Sequence, residues 1–394
     1  MRLTAALAAV AAALLGAPLT AGAAPPEPPR NLPAAGWQLV DESSGDVLAA
    51  REAHRAMPIA SATKLMTAFI TLRMLEPGDV VTAPEYPASP LESLMGLQPG
   101  EQVSVRDMLY GLLLASGNDA AYALALRVSG SLPDFVREMN RTAARLGLRD
   151  TSYVDPIGLG EGNVSSAGDL NRLATRLRQD PLFRRIVDTP RITLRLADGP
   201  TRIVNRNTLV LDYPFVNGIK TGTTVAAGWV LVASARRRGV GLVSAVLGAP
   251  GEQARDRATL KLLRFGGSLY RMRTLVAPAE SLATLPLDEE RGQLPLVAAN
   301  AVRAVARADQ RPMVEFEPPA APAGAIVRGQ PFGTATVTLD GREVAEVEVV
   351  AGRTVAAASS PGAPAGAIAV AGVVLAAVAF GMWRAVRTGR LPRR

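Results

Sequence analysis

The sequence predicts an α/β domain at residues 35–275, followed by a small β-rich module at 276–355 and a membrane-spanning helix at 365–383. Strand patterns lie at both ends of the first region with helical patterns between them, which favours a sheet completed by distant segments. After residue 275 the helical periodicity fades and alternating valine and threonine take its place. The stretch 365–383 carries no charge over nineteen residues. This is about the minimum length that crosses a bilayer core.

The first elements of the α/β domain are a hairpin and a helix. "GWQLVDESSGDVLAAREA" predicts two short strands that are joined by a turn at 43–45. Residues 61–75 then predict a helix, because Leu65, Met66 and Phe69 repeat at helical spacing. Ser61 stands at the N-cap or first turn of this helix.

The later elements of the domain follow the same periodicity argument. Ser104 and Asp107 form an aspartate variant of the capping box ahead of an apolar helix. The full set of predicted elements comprises helices at 104–116, about 119–128, 132–146, 167–178 and 252–270, an irregular loop at 151–166, strand and turn at 191–210, and strands at 228–238 and 239–249.

The two chain ends predict export and anchoring. Residues 1–23 have a basic start, an apolar run and a small-x-small cleavage site, which is typical of a signal peptide. A Pro-rich leader at 24–34 follows, and a linker at 356–364 precedes the span. The tail 384–394 contains five arginines, which predicts a cytoplasmic tail and an extracytoplasmic body that is anchored to the cell membrane.

Composition excludes several chemistries. The 394 residues contain no cysteine and a single histidine, so cysteine proteases, disulfide scaffolds and Cys/His zinc sites are excluded. His54 is interpreted as a surface histidine. The net charge of +8 owes much to the C-terminal arginines, and aromatic and basic residues do not alternate, so no nucleic acid partner is expected.

Three short strings carry the candidate chemistry. Ser61 and Lys64 lie three residues apart on one helical face, where a helix N-terminus would favour an alkoxide. Such a lysine can act as a base only if its pKa is lowered from about 10.4 by burial or a second cation, and Lys220 could supply that cation. Without further context, the same strings also fit a helix cap with a solvated lysine, a glycine helix end at 116–118, and an exposed turn lysine.

Taken in order, Ser61-Ala-Thr-Lys64, Ser116-Gly-Asn118 and Lys220-Thr-Gly222 resemble the S-x-x-K, S-x-N and K-T-G triplet of penicillin-recognising serine enzymes. Over about residues 35–270 the chain resembles the D-alanyl-D-alanine carboxypeptidases of serine peptidase family S11, the low-molecular-mass penicillin-binding proteins. The resemblance implies a β-lactamase/transpeptidase-like fold, an antiparallel sheet with helices on both faces plus a helical subdomain.

The resemblance also implies roles for site residues. Ser61 would be the nucleophile, Lys64 its base and Ser116 a proton relay to the leaving amine. The expected substrate-binding residues are Asn118, Lys220, Thr221, Gly222 and Thr223. Backbone N–H groups of Ser61 and Thr223 would form the oxyanion hole. The loop at 151–166 matches the family only approximately, so neither Asp155 nor Glu161 is assigned a role.

The predicted function is removal of the terminal D-alanine from peptidoglycan stem peptides, with β-lactams as covalent inhibitors and no metal or organic cofactor. A β-lactamase is one alternative, since it shares the three motifs but clears its acyl adduct quickly. A non-catalytic cell-wall-binding protein is another. The motifs do not separate carboxypeptidase from endopeptidase action on cross-links.

Overall fold

A computed structural model describes residues 26–358. The predicted signal peptide, most of the linker, the membrane span and the basic tail lie outside the described residues. Among the helices of the described part, none combines the length and the apolar character that a bilayer crossing requires.

The described residues contain both helices and strands. The α-helices are α1 (Lys64–Met74), α2 (Val105–Tyr110), α3 (Asn118–Ser129), α4 (Leu132–Arg145), α5 (Ala167–Leu177), α6 (Pro181–Asp188), α7 (Leu209–Asp212) and α8 (Glu252–Ser268). The strands are β1 (Gly36–Asp41), β2 (Val47–Arg51), β3 (Met57–Pro58), β4 (Val80–Thr82), β5 (Gln102–Ser104), β6 (Val164–Ser165), β7 (Arg191–Leu196), β8 (Gly199–Val204), β9 (Val216–Thr224), β10 (Gly228–Arg237), β11 (Val240–Ala249), β12 (Tyr270–Val276), β13 (Ser281–Pro286), β14 (Gln293–Ala298), β15 (Val302–Arg307), β16 (Pro312–Glu315), β17 (Pro331–Leu339) and β18 (Arg342–Ala351).

The central sheet has the order β2-β1-β11-β10-β9, and every neighbouring pair is antiparallel. Strand β1 pairs with β11, for example through Gly36 and Leu247, so the two ends of the domain meet in the sheet as the sequence predicts. Strand β9 lies at one edge and pairs within the sheet only with β10. This edge carries the Lys220-Thr-Gly222 string.

Both faces of the sheet are buried, which explains the nearly continuous apolar runs of β10 and β11. Val230 and Val232 belong to one apolar cluster, whereas Leu231 and Ala233 belong to another. The first cluster includes residues of α1–α6 and the second includes residues of α7 and α8. Because side chains of a strand alternate between faces, the sheet separates two layers of helices.

Two local features differ from the sequence-based expectation. The first is at Ser61, which lies in a short 3-10 helix (Ala60–Thr63) that precedes α1. The second is at the end of the 104–116 helix, which changes to a π-helical turn (Gly111–Ala115). There Ser116 itself, rather than the following glycine, adopts the left-handed conformation, with φ 63° and ψ 33°.

The described residues form two compact units that interleave along the chain. The first contains residues 26–278, Asn300–Glu315 and Ala335–Val347, and the second contains Ala279–Ala299, Phe316–Thr334 and residues 348–358. In the second unit, β13 pairs with β14, and β14 pairs with residues 349–351 of β18. The domain boundaries at residues 275 and 355 stay predictions.

Candidate active site

Ser61 and Lys64 are brought together by the turn that starts α1. Lys64 Nζ lies 3.1 Å from Ser61 Oγ, which is within hydrogen-bonding reach. The Ser61 side chain is partly accessible, whereas Lys64 is completely buried. The nucleophile can therefore meet a ligand while the amine is kept from bulk water.

The Lys64 amine has a strongly perturbed pKa. Burial, the largest cause, lowers the pKa of Lys64 to about 7, although the Asp155 carboxylate acts in the opposite direction. The Arg206 guanidinium lowers the pKa further by charge repulsion. A large share of Lys64 is consequently neutral at physiological pH and can accept a proton.

The loop at 151–163 supplies a contact that the sequence reasoning missed. Lys64 Nζ donates to the Ile157 carbonyl oxygen at 2.8 Å. The Asp155 carboxylate organises this loop by accepting from the backbone N–H groups of Ile157, Gly158 and Gly160, at 2.7, 2.5 and 2.6 Å. The loop that received no role from sequence therefore holds the candidate base.

The serine and asparagine of the second string lie at the start of α3. Both are buried, with 3% of Ser116 and 2% of Asn118 exposed. Asn118 Nδ2 donates to Glu92 Oε2 at 2.7 Å, and its backbone N–H donates to the Ser93 carbonyl oxygen. The chain between β4 and β5 is thus fixed against this turn, a contact between segments that the sequence does not signal.

The third string lies on the edge strand beside Ser61. Lys220 is buried and donates to the Thr221 carbonyl oxygen at 2.8 Å, whereas Thr223 is exposed. Burial and repulsion from Lys64 both lower the pKa of Lys220 well below its usual value. Lys220 is therefore not the exposed turn lysine of the alternative interpretation, and the two lysines are close enough to influence each other.

The close approach of β9 to the Ser61 turn requires Gly222. A Cβ added at this position would lie 2.9 Å from the Ile59 carbonyl oxygen and 3.0 Å from the Ser61 amide nitrogen. Both distances are shorter than ordinary van der Waals contact, so a side chain here would push the strand from the turn. The amides of Ser61 and Thr223, expected to form the oxyanion hole, belong to these two adjoining segments.

We expect Gly222→Ala to slow acylation of Ser61 by penicillin about 10- to 100-fold, because displacement of the strand would cost about 1–3 kcal/mol. The matched control is Gly267→Ala in α8, where no atom lies within 4 Å of the added Cβ. Stopped-flow labelling measures both rates. Equal rates for the two variants would contradict the steric argument.

Arg206 is a second residue that sequence reasoning missed. It is exposed, its positive charge lowers the pKa values of both Lys64 and Lys220, and its backbone N–H donates to the Leu114 carbonyl oxygen. An arginine in an ordinary strand-to-helix connection carries no signal of its own, so only the fold reveals its position near the lysines.

His54 takes no part in this constellation. Its side chain is 79% exposed and its Nδ1 lies 3.2 Å from Asp150 Oδ2. This confirms the surface interpretation, and a histidine-based triad with Ser61 receives no support. Among the described residues, no group of acidic or histidine side chains is arranged to hold a metal ion.

The fold and the site together define a class. A partly accessible serine, a buried lysine of lowered pKa and a sheet edge beside them form the active site of a serine hydrolase. Solved structures support this class. Penicillin-binding protein 5 from Haemophilus influenzae is similar with a TM-score of 0.60 and 28% identity, over 84% of this chain and 100% of that one. A Streptomyces DD-transpeptidase variant is similar with a TM-score of 0.59 and 30% identity, over 61% of this chain and 100% of that one.

Sequence comparison identifies the family. Residues 22–251 match Peptidase_S11, described as D-alanyl-D-alanine carboxypeptidase. The D-alanyl-D-alanine carboxypeptidase DacF of Bacillus subtilis is 32% identical over 327 residues, which span 79% of this chain and 83% of the relative. The chain therefore belongs to the Peptidase_S11 family, with the penicillin-binding and transpeptidase fold, and is a serine-type D-Ala-D-Ala carboxypeptidase. The predicted family and enzyme class are confirmed.

Proposed function

We propose that Ser61 attacks the carbonyl carbon of the penultimate D-alanine of a peptidoglycan stem peptide while Lys64 accepts the hydroxyl proton. The observation that carries this assignment is the 3.1 Å separation of Lys64 Nζ and Ser61 Oγ, together with the pKa of about 7 for the buried amine. A bond forms between Oγ and the carbonyl carbon, and the peptide C–N bond breaks. The leaving amine takes a proton through Ser116, and water then hydrolyses the ester.

The edge of β9 is the proposed substrate platform. An extended peptide can pair with an edge strand, and Gly222 lets it lie close to Ser61. The terminal carboxylate would accept hydrogen bonds from the Thr221 and Thr223 hydroxyls and from the Lys220 amine, whose protonated form a bound carboxylate would favour. The Arg206 guanidinium, whose charge acts on both Lys64 and Lys220, adds a further positive charge near the site.

The experiment that tests this function is the release of free D-alanine from an N-acylated tripeptide that ends in D-Ala-D-Ala. We expect D-alanine to be released from this peptide and no L-alanine to be released from the same peptide ending in D-Ala-L-Ala, since the edge strand and the carboxylate-binding groups fix the handedness of the bound residue. Equal release from both peptides would contradict the proposed binding mode. Absence of release from the D,D-peptide would contradict the function.

The proposed location is the outer face of the cell membrane. Support comes from the sequence of the two ends: the signal-like residues 1–23, and the uncharged run 365–383 followed by arginines. We expect the full chain to sediment with membranes and a chain that ends at residue 364 to be recovered in the extracytoplasmic soluble fraction. Sedimentation of the shortened chain with membranes would contradict anchoring by this segment.

A further inference from the structure

Glu92 occupies a position that neither the three motifs nor the proposed mechanism explains. It lies on the connection between β4 and β5, and its Oε2 accepts from Asn118 Nδ2 at 2.7 Å. The same oxygen accepts from the Tyr86 hydroxyl, and Oε1 accepts from the Ser89 amide at 3.1 Å. A partly buried carboxylate is therefore held directly against a residue of the S-x-N motif.

This contact selects one of two orientations of the Asn118 amide. An asparagine side chain can turn by half a rotation and exchange its oxygen and nitrogen, but an ionised carboxylate only accepts hydrogen bonds. Burial would raise the pKa of Glu92, but hydrogen bonds from Tyr86 and Asn118 outweigh burial, and the pKa lies below its usual value. Nδ2 must then face Glu92, and Oδ1 must point away from it.

In this orientation Asn118 Oδ1 is available to accept a hydrogen bond. Within residues 26–358, Asn118 Oδ1 accepts no hydrogen bond. Only 2% of the residue as a whole is exposed. This oxygen is not fully enclosed by the protein, so a ligand N–H or the Lys64 amine can reach it as a donor.

We propose that Glu92 is a positioning residue, which fixes the Asn118 amide so that its Oδ1 faces the bound peptide and the Lys64 amine. The proposal deepens the proposed function, because it rests on the roles given there to Ser61 and Lys64. Glu92 need not touch the substrate; its action passes through Asn118.

The surrounding contacts make this arrangement rigid. The Asp119 carboxylate accepts from the backbone N–H groups of Met95, Gly96 and Leu97, with distances of 2.9 to 3.1 Å. The Tyr86 ring also contacts the Tyr122 ring, with 5.3 Å between centroids. The segment that carries Glu92 therefore contacts α3 both before Glu92, through Tyr86, and after it, through residues 95–97.

The test is Glu92→Gln, which keeps the size of the side chain but adds a donor and removes the charge. We expect acylation by penicillin to slow about tenfold at its optimal pH, because both orientations of Asn118 become acceptable. The Glu92 charge also raises the pKa of Lys64. Its removal should therefore move the acid limb of the pH–rate profile to lower pH.

The matched control is Glu85→Gln on the same connection, an exposed residue that makes the same change of charge without contacting Asn118. A purely structural role of Glu92 would lower the melting temperature and slow acylation equally with and without the Asn118 side chain. Identical rates for Glu92→Gln and Glu85→Gln at the optimal pH would overturn the proposal, whether or not the limb moves.

A double-mutant cycle gives the second readout. In an Asn118→Ala background, Glu92→Gln should cost at most twofold, because the amide that it orients is gone. The full tenfold loss in this background would overturn the proposal. Failure of the proposed function has a different signature, which is penicillin labelling that survives Ser61→Ala.

Discussion

Ser61→Ala is expected to abolish covalent labelling by penicillin and to reduce D-alanine release on the order of 10⁴-fold or more. The reason is geometric, since Lys64 Nζ faces Ser61 Oγ at 3.1 Å and the substitution removes the acceptor of the acyl group. Labelling followed by peptide mapping measures the first effect, and a coupled D-amino acid assay measures the second.

The control for this prediction is His54→Ala, which should label at the rate of the unaltered protein, because this side chain is 79% exposed and contacts Asp150. Labelling at a residue other than position 61 would contradict the assignment of the nucleophile. The same assay separates the carboxypeptidase from the β-lactamase alternative, because a long-lived adduct fits the first and rapid turnover of the adduct fits the second.

Lys64→Arg is expected to slow acylation on the order of 10³-fold, which is the usual contribution of a general base. Arginine keeps the positive charge but does not release its proton near neutral pH, so it cannot accept the Ser61 proton.

In the unaltered protein the acylation rate should rise with pH through about 7, because deprotonated Lys64 is the active form and its pKa is about 7. The variant should lack this limb.

Lys261→Arg provides the matched control, since Lys261 is an exposed residue of α8. It should retain both the rate and the limb near pH 7. A limb that persists in Lys64→Arg would show that another group titrates, and Lys220 would be the first candidate, because burial also lowers its pKa.

The order of the elements could be predicted from the sequence because each element has its own local signal. Strand β10 shows this, since the apolar run at 228–238 predicts a strand and the structure has one at Gly228–Arg237. The left-handed Ser116 gave no such signal. A left-handed serine is uncommon, and the apolar sequence of the π-helical turn before it looks like that of an ordinary helix.

The candidate site likewise combines features that local spacing predicts with features that depend on long-range packing. The spacing of Ser61 and Lys64 is enough to place them on one face, but the depression of the lysine pKa arises from burial by segments far along the chain. Ile157, whose carbonyl accepts from Lys64, is 93 residues away, and Glu92 is 26 residues from Asn118. Such contacts depend on how loops pack, and no local periodicity encodes them.

The edge position of β9 has a consequence for solubility. Unpaired strand edges invite pairing between copies of a protein, and short or covered edges are a common defence. Here the Asn207 side chain donates to the Gly218 carbonyl oxygen at 2.8 Å, and Val187 lies against Gly218, so the first half of β9 is protected. The stretch around Gly222 lies against the Ser61 turn, so a strand that pairs there must also fit beside the nucleophile, which favours a short peptide tail over the edge strand of a second copy.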